Sequence, residues 1–264
     1  NKDFFPYKNK WQDPVDYFDN SYKNAVVVLK KIGWIGWHSQ GEMQTFEQMY
    51  HFKGWEKPRD LQQQAIDAYR TFDPQASFIM VVEAPTGIGK TEIAMYLADQ
   101  WLQKSNGSGM YIAMPTQATS NQLYQRSKEV LENRYKDQLV NLVLAHGQAR
   151  WNAEVNSIRV KEVGEDKKQS VIASDWFQNN RKRTLLTPFG VGTVDQVFLS
   201  ILQTKHFFVR LFGLSNKVVI FDEVHAYDTY MNTLFHRLLE WLRALGASVI
   251  VLSATLPEET RKEI

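Results

Sequence analysis

The chain has 264 residues, 44% hydrophobic and 23% charged, which suits one sizeable α/β domain or one domain with an appendage. Cysteine is absent, excluding disulfides and cysteine-ligated zinc or iron–sulfur centres and fitting a reducing compartment such as the cytoplasm. No apolar run approaches the ~20 residues of a membrane span and no secretory leader is visible, so no membrane partner is expected; a net charge of +2 is far below that of a histone-like binder, so any grip on nucleic acid must come from locally placed donors.

In chain order, residues 1–57 are rich in aromatics and lack alternating strand and helix signals. Within them, Val15, Phe18, Tyr22, Ala25, Val26 and Leu29 share one helical face, with Asp13 as N-cap and Pro14 as first helical residue. From Pro58 a regular rhythm begins, and it defines an expected second unit, 58–264. The pattern predicts helix Leu61–Arg70, strand Ser77–Glu83, helix Lys90–Lys104, strand Met110–Met114, helix Ala118–Asn133 and strand Leu139–Leu144. The polar stretch Gly147–Asn180 reads as a surface insertion. Strand Thr184–Thr187, helix Thr193–Gln203, strand Lys217–Phe221, helix Tyr227–Leu245 and strand Ser248–Leu252 follow. Apolar strands separated by helices imply a doubly wound parallel sheet, with the N-terminal part as a helical extension. The chain opens on Asn1 rather than Met and stops where Glu258–Ile264 reads as the start of a helix, so it is expected to be a piece of a longer protein.

Ala84-Pro85-Thr86-Gly87-Ile88-Gly89-Lys90-Thr91 lies between a strand and a helix. It departs from the phosphate-loop pattern only at Ala84, where the pattern has glycine. Gly87 and Gly89 let the backbone wrap with its N–H groups inward, and the following helix N-terminus adds positive potential. Lys90 can reach the β- and γ-phosphates of ATP, and Thr91 can ligate Mg²⁺. A glycine-rich turn that binds nothing is the bland alternative, and the strand-before, helix-after context argues against it.

Val218–Phe221 is an apolar strand ending in Asp222 and Glu223, at the sheet edge where the phosphate loop also belongs. Asp222 is positioned to hold Mg²⁺, and Glu223 to orient and deprotonate the attacking water. Two halves of one site in this chain order point to ATP hydrolysis, with Lys90, Asp222 and Glu223 as its catalytic residues.

Ala84–Thr91, Asp222-Glu223-Val224-His225 and Ser253-Ala254-Thr255 together resemble motifs I, II (here a DEVH box) and III of superfamily 2 helicases, in which alanine is usual at the position of Ala84. The resemblance implies a RecA-like P-loop NTPase fold. It also implies strand-binding roles for Pro115 and Thr116 (motif Ia) and for Thr193 and Asp195 within Gly192–Gln196 (motif Ib), although both threonines also read as plain helix caps. His225, Ser253 and Thr255 would couple the nucleotide site to the strand-binding face. Gln62 resembles the glutamine that recognises adenine, with Gln63 and Gln64 within one or two positions of the same offset. Phe52 or Trp55 could stack on the base, or pack in the core.

A narrower resemblance rests on Ala226-Tyr227-Asp228 after the metal motif, on Val191–Gln196, on Leu252–Pro257 and on Lys205–Leu214. These look like the helicase–nuclease of type I CRISPR interference over about residues 60–260. The resemblance implies a motor translocating 3′ to 5′ on single-stranded DNA, recruited by an RNA-guided surveillance complex. It further implies a histidine–aspartate nuclease domain in cis or in trans, and a second RecA-like domain supplying arginine fingers. The nuclease's His-Asp pair is absent here, since none of the six histidines precedes an aspartate, and the second RecA-like domain is expected to follow Ile264. Another superfamily 2 motor (an RNA helicase or a restriction translocase) shares motifs I to III without Ala226–Asp228. A nucleotide-dependent clamp without turnover would have no need of Glu223.

Overall fold

Strands β1 (Ile79–Glu83), β2 (Met110–Met114), β3 (Val140–Ala145), β4 (Arg159–Val160), β5 (Val171–Ser174), β6 (Phe189–Thr193), β7 (Val218–Phe221) and β8 (Ser248–Ser253) form one sheet in the order β1-β8-β7-β2-β6-β3-β5-β4, every pairing parallel. The computed structural model describes residues 13–31, 37–39, 42–73, 75–136, 138–145, 159–160, 171–174, 183–256, 258 and 261. The helices are α1 (Pro14–Lys31), α2 (Phe46–Tyr50), α3 (Asp60–Tyr69), α4 (Lys90–Ser105), α5 (Gln117–Arg134), α6 (Val194–Phe198), α7 (Phe207–Leu214) and α8 (Thr229–Ala244).

Alternation along the strands explains the double winding. Val218 and Ile220 of β7 face one core cluster with α2, α3, α4 and α5, whereas Val219 and Phe221 face another with α6 and α8. Each connection therefore crosses from strand to helix and back on one side or the other. This is the RecA-like arrangement expected from the sequence.

Several expected elements fall where the pattern puts them. Asp13 Oδ1 accepts from the Val15 N–H at 2.9 Å, the capping role expected of it, and α1 leaves Val15, Phe18 and Tyr22 exposed. Two expectations need correction. Residues Thr184–Leu186 form a 3₁₀ turn instead of a strand, and β6 starts only after Pro188. Its glycines disguised it: a Cβ on Gly190 would lie 2.8 Å from the Tyr111 ring, and one on Gly192 would lie 2.1 Å from the Ala145 carbonyl oxygen. They are small because the neighbouring strands press on them. The helix expected over Thr193–Gln203 is α6 alone, its end tightening into i→i+3 bonds such as Ser200 N to Val197 O at 2.9 Å. Phe207–Leu214, unassigned from the pattern, forms α7. The expected insertion Gly147–Asn180 lies largely outside the described residues, and its described parts are β4 and β5, which extend the sheet beyond β3.

Residues 37–39 and 42–55 pack on the α4–α5 side. Thr45 and Gln48 form a capping box for α2, which buries Phe46 and Tyr50 completely enough that they rank among the largest hidden side chains. The Tyr50 hydroxyl donates to the Glu92 carbonyl at 2.7 Å, and Trp37 meets Phe189 edge-on with 4.8 Å between ring centroids. No helix among the described residues is long and apolar enough to cross a membrane.

Lys217, at the start of β7, is buried and donates to the carbonyls of Leu185 (2.7 Å) and Thr187 (2.5 Å), tying the 3₁₀ turn to the sheet. Burial pushes its ammonium down to about 7. The unfolded lysine keeps its proton to about pH 10.4, so above about pH 7 the unfolded state binds more protons and stability from this group rises with pH. Between pH 7 and 9 the expected slope approaches 1.4 kcal/mol per pH unit, and denaturant titrations of Lys217→Met should lose most of that slope.

Candidate nucleotide and motor site

The carboxyl ends of β1, β8 and β7 lie side by side, with Glu83 paired to Ser253 and Phe221 to Val251. This register sets the three motifs next to one another. The Ala84 N–H donates to the Ser253 carbonyl at 3.0 Å, and the Asp222 N–H to the Ala113 carbonyl at 3.0 Å.

The loop after β1 turns on Gly87 and Gly89, whose φ values of 86° and 87° are left-handed and suit only glycine. Ala84 is not among the residues with positive φ, so alanine is accommodated without strain. Lys90 heads α4 and folds its ammonium back on the Ala84 and Pro85 carbonyls, at 2.5 and 3.0 Å. The Thr91 hydroxyl donates to Asp222 Oδ2 at 2.9 Å, joining two residues that are 131 positions apart.

Asp222 is nearly buried, and its other oxygen accepts from the Glu223 N–H at 2.9 Å. Burial raises its carboxyl above the usual range, opposed by the Thr91 and Glu223 hydrogen bonds and by the charges of Lys90 and Arg126. Glu223 has φ 57° and ψ 39°, a conformation sparsely populated by residues other than glycine. Lys90, Thr91, Asp222 and Glu223 all line one cleft of about 410 Å³. The donor set fits a magnesium nucleotide: one hydroxyl, one carboxylate and one lysine converge on a glycine-lined loop. Among the described residues there is no cluster of three histidine, cysteine or acidic groups that could hold a metal ion.

The coupling candidates meet at one wall of this cleft, which His225 and Ser253 also line. The Ala254 N–H donates to His225 Nδ1 at 3.3 Å, so the neutral ring carries its proton on Nε2. The Ser253 hydroxyl donates to the Thr255 carbonyl at 2.8 Å and lies 3.4 Å from His225 Nδ1. It thus joins motif III to the histidine of motif II, not to either carboxylate.

The strand-binding candidates lie at neighbouring strand ends, since Met114 of β2 pairs with Thr193 of β6. Thr116 caps α5, accepting from the Thr119 N–H at 3.3 Å, with Pro115 just before it. Thr193 is nearly buried and precedes α6, while Asp195 is exposed.

Gln62 is engaged at both ends of its amide. Its Oε1 accepts from the Arg59 N–H at 2.9 Å, and its Nε2 donates to the Gly89 carbonyl at 3.1 Å. Of the two candidate stacking rings, Trp55 lines the cleft, whereas Phe52 is half-exposed beside Tyr50. Two arginines line the cleft outside the motifs. Arg59 donates to the Gly87 carbonyl at 2.9 Å and lies 5.9 Å from the Trp55 ring; Arg126 reaches the cleft from α5. Only the basic residue three places before Gln62 could have hinted at the first.

The sequence profile of the DEAD/DEAH box helicase family matches residues 59–264. The chain belongs to that family. It is 40% identical over 267 aligned positions to the CRISPR-associated endonuclease/helicase Cas3 of Thermus thermophilus, covering 98% of this chain and 28% of that protein. The structure of T. fusca Cas3 with ATP superposes with a TM-score of 0.79 at 31% identity, covering 94% of this chain and 26% of that one. A chain of a CRISPR RNA-guided surveillance complex in a pre-nicking state matches at TM-score 0.61 and 27% identity, over 94% of this chain and 21% of its own length. The helicase-family chain described here thus spans about a quarter of the length of these relatives.

Proposed function

We propose that this chain is the ATP-dependent motor domain of a helicase–nuclease acting on single-stranded DNA in type I CRISPR interference. The observation that carries the reading is the Thr91–Asp222 hydrogen bond of 2.9 Å, which joins the phosphate loop to the acidic strand end in one cleft. The similarity to Cas3 proteins and to a chain of a CRISPR RNA-guided surveillance complex supports this setting, with such a complex as the recruiting partner in this reading.

On this reading, Lys90 exchanges the carbonyls of Ala84 and Pro85 for the β- and γ-phosphates of ATP. Thr91 and Asp222 hold Mg²⁺, which when bound offsets charge on the phosphate oxygens. Glu223 takes the proton of the attacking water. Gln62 holds the loop at Gly89, and Trp55 with Arg59 flanks the base side. Pro115, Thr116, Thr193 and Asp195 form the DNA-facing edge, and His225, Ser253 and Thr255 relay between the two. Residues 1–57 connect to a histidine–aspartate nuclease in cis or accompany one in trans, 58–264 are the first of two RecA-like domains, and the protein works in the cytoplasm.

Lys90→Ala tests the nucleotide reading. Removing the charge-assisted contact should weaken ATP binding by about 1.5–3 kcal/mol in calorimetric titration. Unchanged affinity would show that the glycine loop is only a turn.

A further inference from the structure

Glu92 follows Thr91 in the first turn of α4, and its side chain is only 7% exposed. Two cations converge on its Oε1: Lys53, at 3.6 Å from the turn after α2, and Arg126, in a tight hydrogen-bonded ion pair from α5. Burial by itself would raise the Glu92 carboxyl. The Arg126 hydrogen bond and charge, together with Lys53, outweigh that and hold it below its ordinary value.

The guanidinium of Arg126 is placed differently. Its side chain is 47% exposed, and it lines the same cleft as Lys90, Thr91, Asp222 and Glu223. One cation is shared between the largely buried Glu92, which borders the same cleft, and the open space of the cleft. A guanidinium carries five donors in a fixed fork, and a single carboxylate oxygen occupies only part of it. A purely structural partner for Glu92 would be enclosed with it, as Arg134 is with Asp99 at 3% and 5% exposure.

From this arrangement we infer that Arg126 is a further nucleotide-binding residue, one that contacts the terminal phosphate of ATP while Glu92 orients it. The inference rests on the reading of the cleft as an ATP site. Arg126 adds a second side-chain cation beside Lys90 from within the same domain. The fork matches the geometry of a phosphoryl group, so its contact distinguishes a triphosphate from a diphosphate.

The test is equilibrium binding of a non-hydrolysable ATP analogue and of ADP, each with magnesium, to the full-length protein. Arg126→Gln should weaken the analogue by about tenfold to a hundredfold, as loss of a charge-assisted bond does, and leave ADP within about threefold. Arg126→Lys keeps a charge facing Glu92 but loses the fork, and should lower the same preference by a smaller factor. If Arg126→Gln does not fold, the lysine variant decides. An unchanged ratio of the two affinities, or equal losses for both nucleotides, overturns the inference and leaves Arg126 as a structural partner of Glu92. Lys90→Ala separates the two readings. If it weakens both nucleotides while the Arg126 variants keep the ratio, only the inference about Arg126 fails; if it affects neither nucleotide, the ATP site itself is refuted and Arg126 with it.

Discussion

Glu223→Gln in the full-length protein should retain ATP binding while lowering hydrolysis by about 10²–10⁴, the share usually contributed by a general base. The substitution is nearly isosteric, and the strained backbone at Glu223 (φ 57°) is held by the turn in which the Ala226 N–H donates to the Glu223 carbonyl at 2.9 Å. The side chain's chemistry therefore changes without its placement. Asp222→Asn should behave differently. Its oxygens face the Thr91 hydroxyl and the Glu223 amide, so removing the charge should lower magnesium affinity and nucleotide binding with it. Measured together, single-turnover hydrolysis and nucleotide affinity assign the two carboxylates. Normal turnover by Glu223→Gln would move water activation to another group.

Arg134→Ala should cost about 3–5 kcal/mol of stability, the typical penalty for leaving a buried charge without its partner. Arg134 Nε donates to Asp99 Oδ2 at 2.9 Å, and the Tyr135 hydroxyl donates to Oδ1 at 2.7 Å. The network continues outward: the Tyr135 hydroxyl lies 3.0 Å from Ser39 Oγ, and Arg134 Nη2 donates to the Glu42 carbonyl at 3.4 Å. It thereby ties the segment before α2 to the seam between α4 and α5. Burial already raises the Asp99 carboxyl against the pull of Arg134. Without the arginine, the folded-state value rises further above the unfolded one. The variant's folded state then binds more protons, so its deficit should be smaller at pH 5 than at pH 7. Urea denaturation at both values is the measurement. Asp99→Leu with Arg134→Leu should recover much of the loss, because two apolar side chains leave no charge unpaired. A deficit below about 1 kcal/mol at pH 7 would class the pair with exposed salt bridges, contrary to its burial.

The amino-acid sequence by itself determined the chemistry of this protein wherever that chemistry is local. A phosphate loop needs glycines, a lysine and a hydroxyl within eight consecutive residues, so Ala84–Thr91 is visible without a fold. The acidic pair needs only an apolar strand before it, and Val218–Phe221 supplies one. The rhythm of strand and helix followed for the same reason: its periodicity is that of a layer covered on both sides. Ala84 was readable only through its resemblance to a family, and the backbone now supplies the physical reason, since its φ has the ordinary sign.

Tertiary structure decided what depends on neighbours distant in the chain. Strand β6 was hidden because Gly190 and Gly192 are turn formers by themselves, and become strand residues only where Tyr111 and Ala145 press against them. Gln62 carries an amide that could face a base, yet its partners here are Arg59 and Gly89, the latter 27 residues away. Residues 1–57 gave no strand-and-helix rhythm, yet Trp37, Phe46, Tyr50 and Trp55 fill the α4–α5 side of the core, a role that no period of 2 or 3.6 encodes. Lys53, Glu92 and Arg126 are ordinary charges on three separate elements. Only the parallel sheet, by fixing α4 beside α5 and bringing α2 across both, makes them one cluster at the edge of the nucleotide cleft, because burial and electrostatic pairing are set by distance in space, not by separation along the chain.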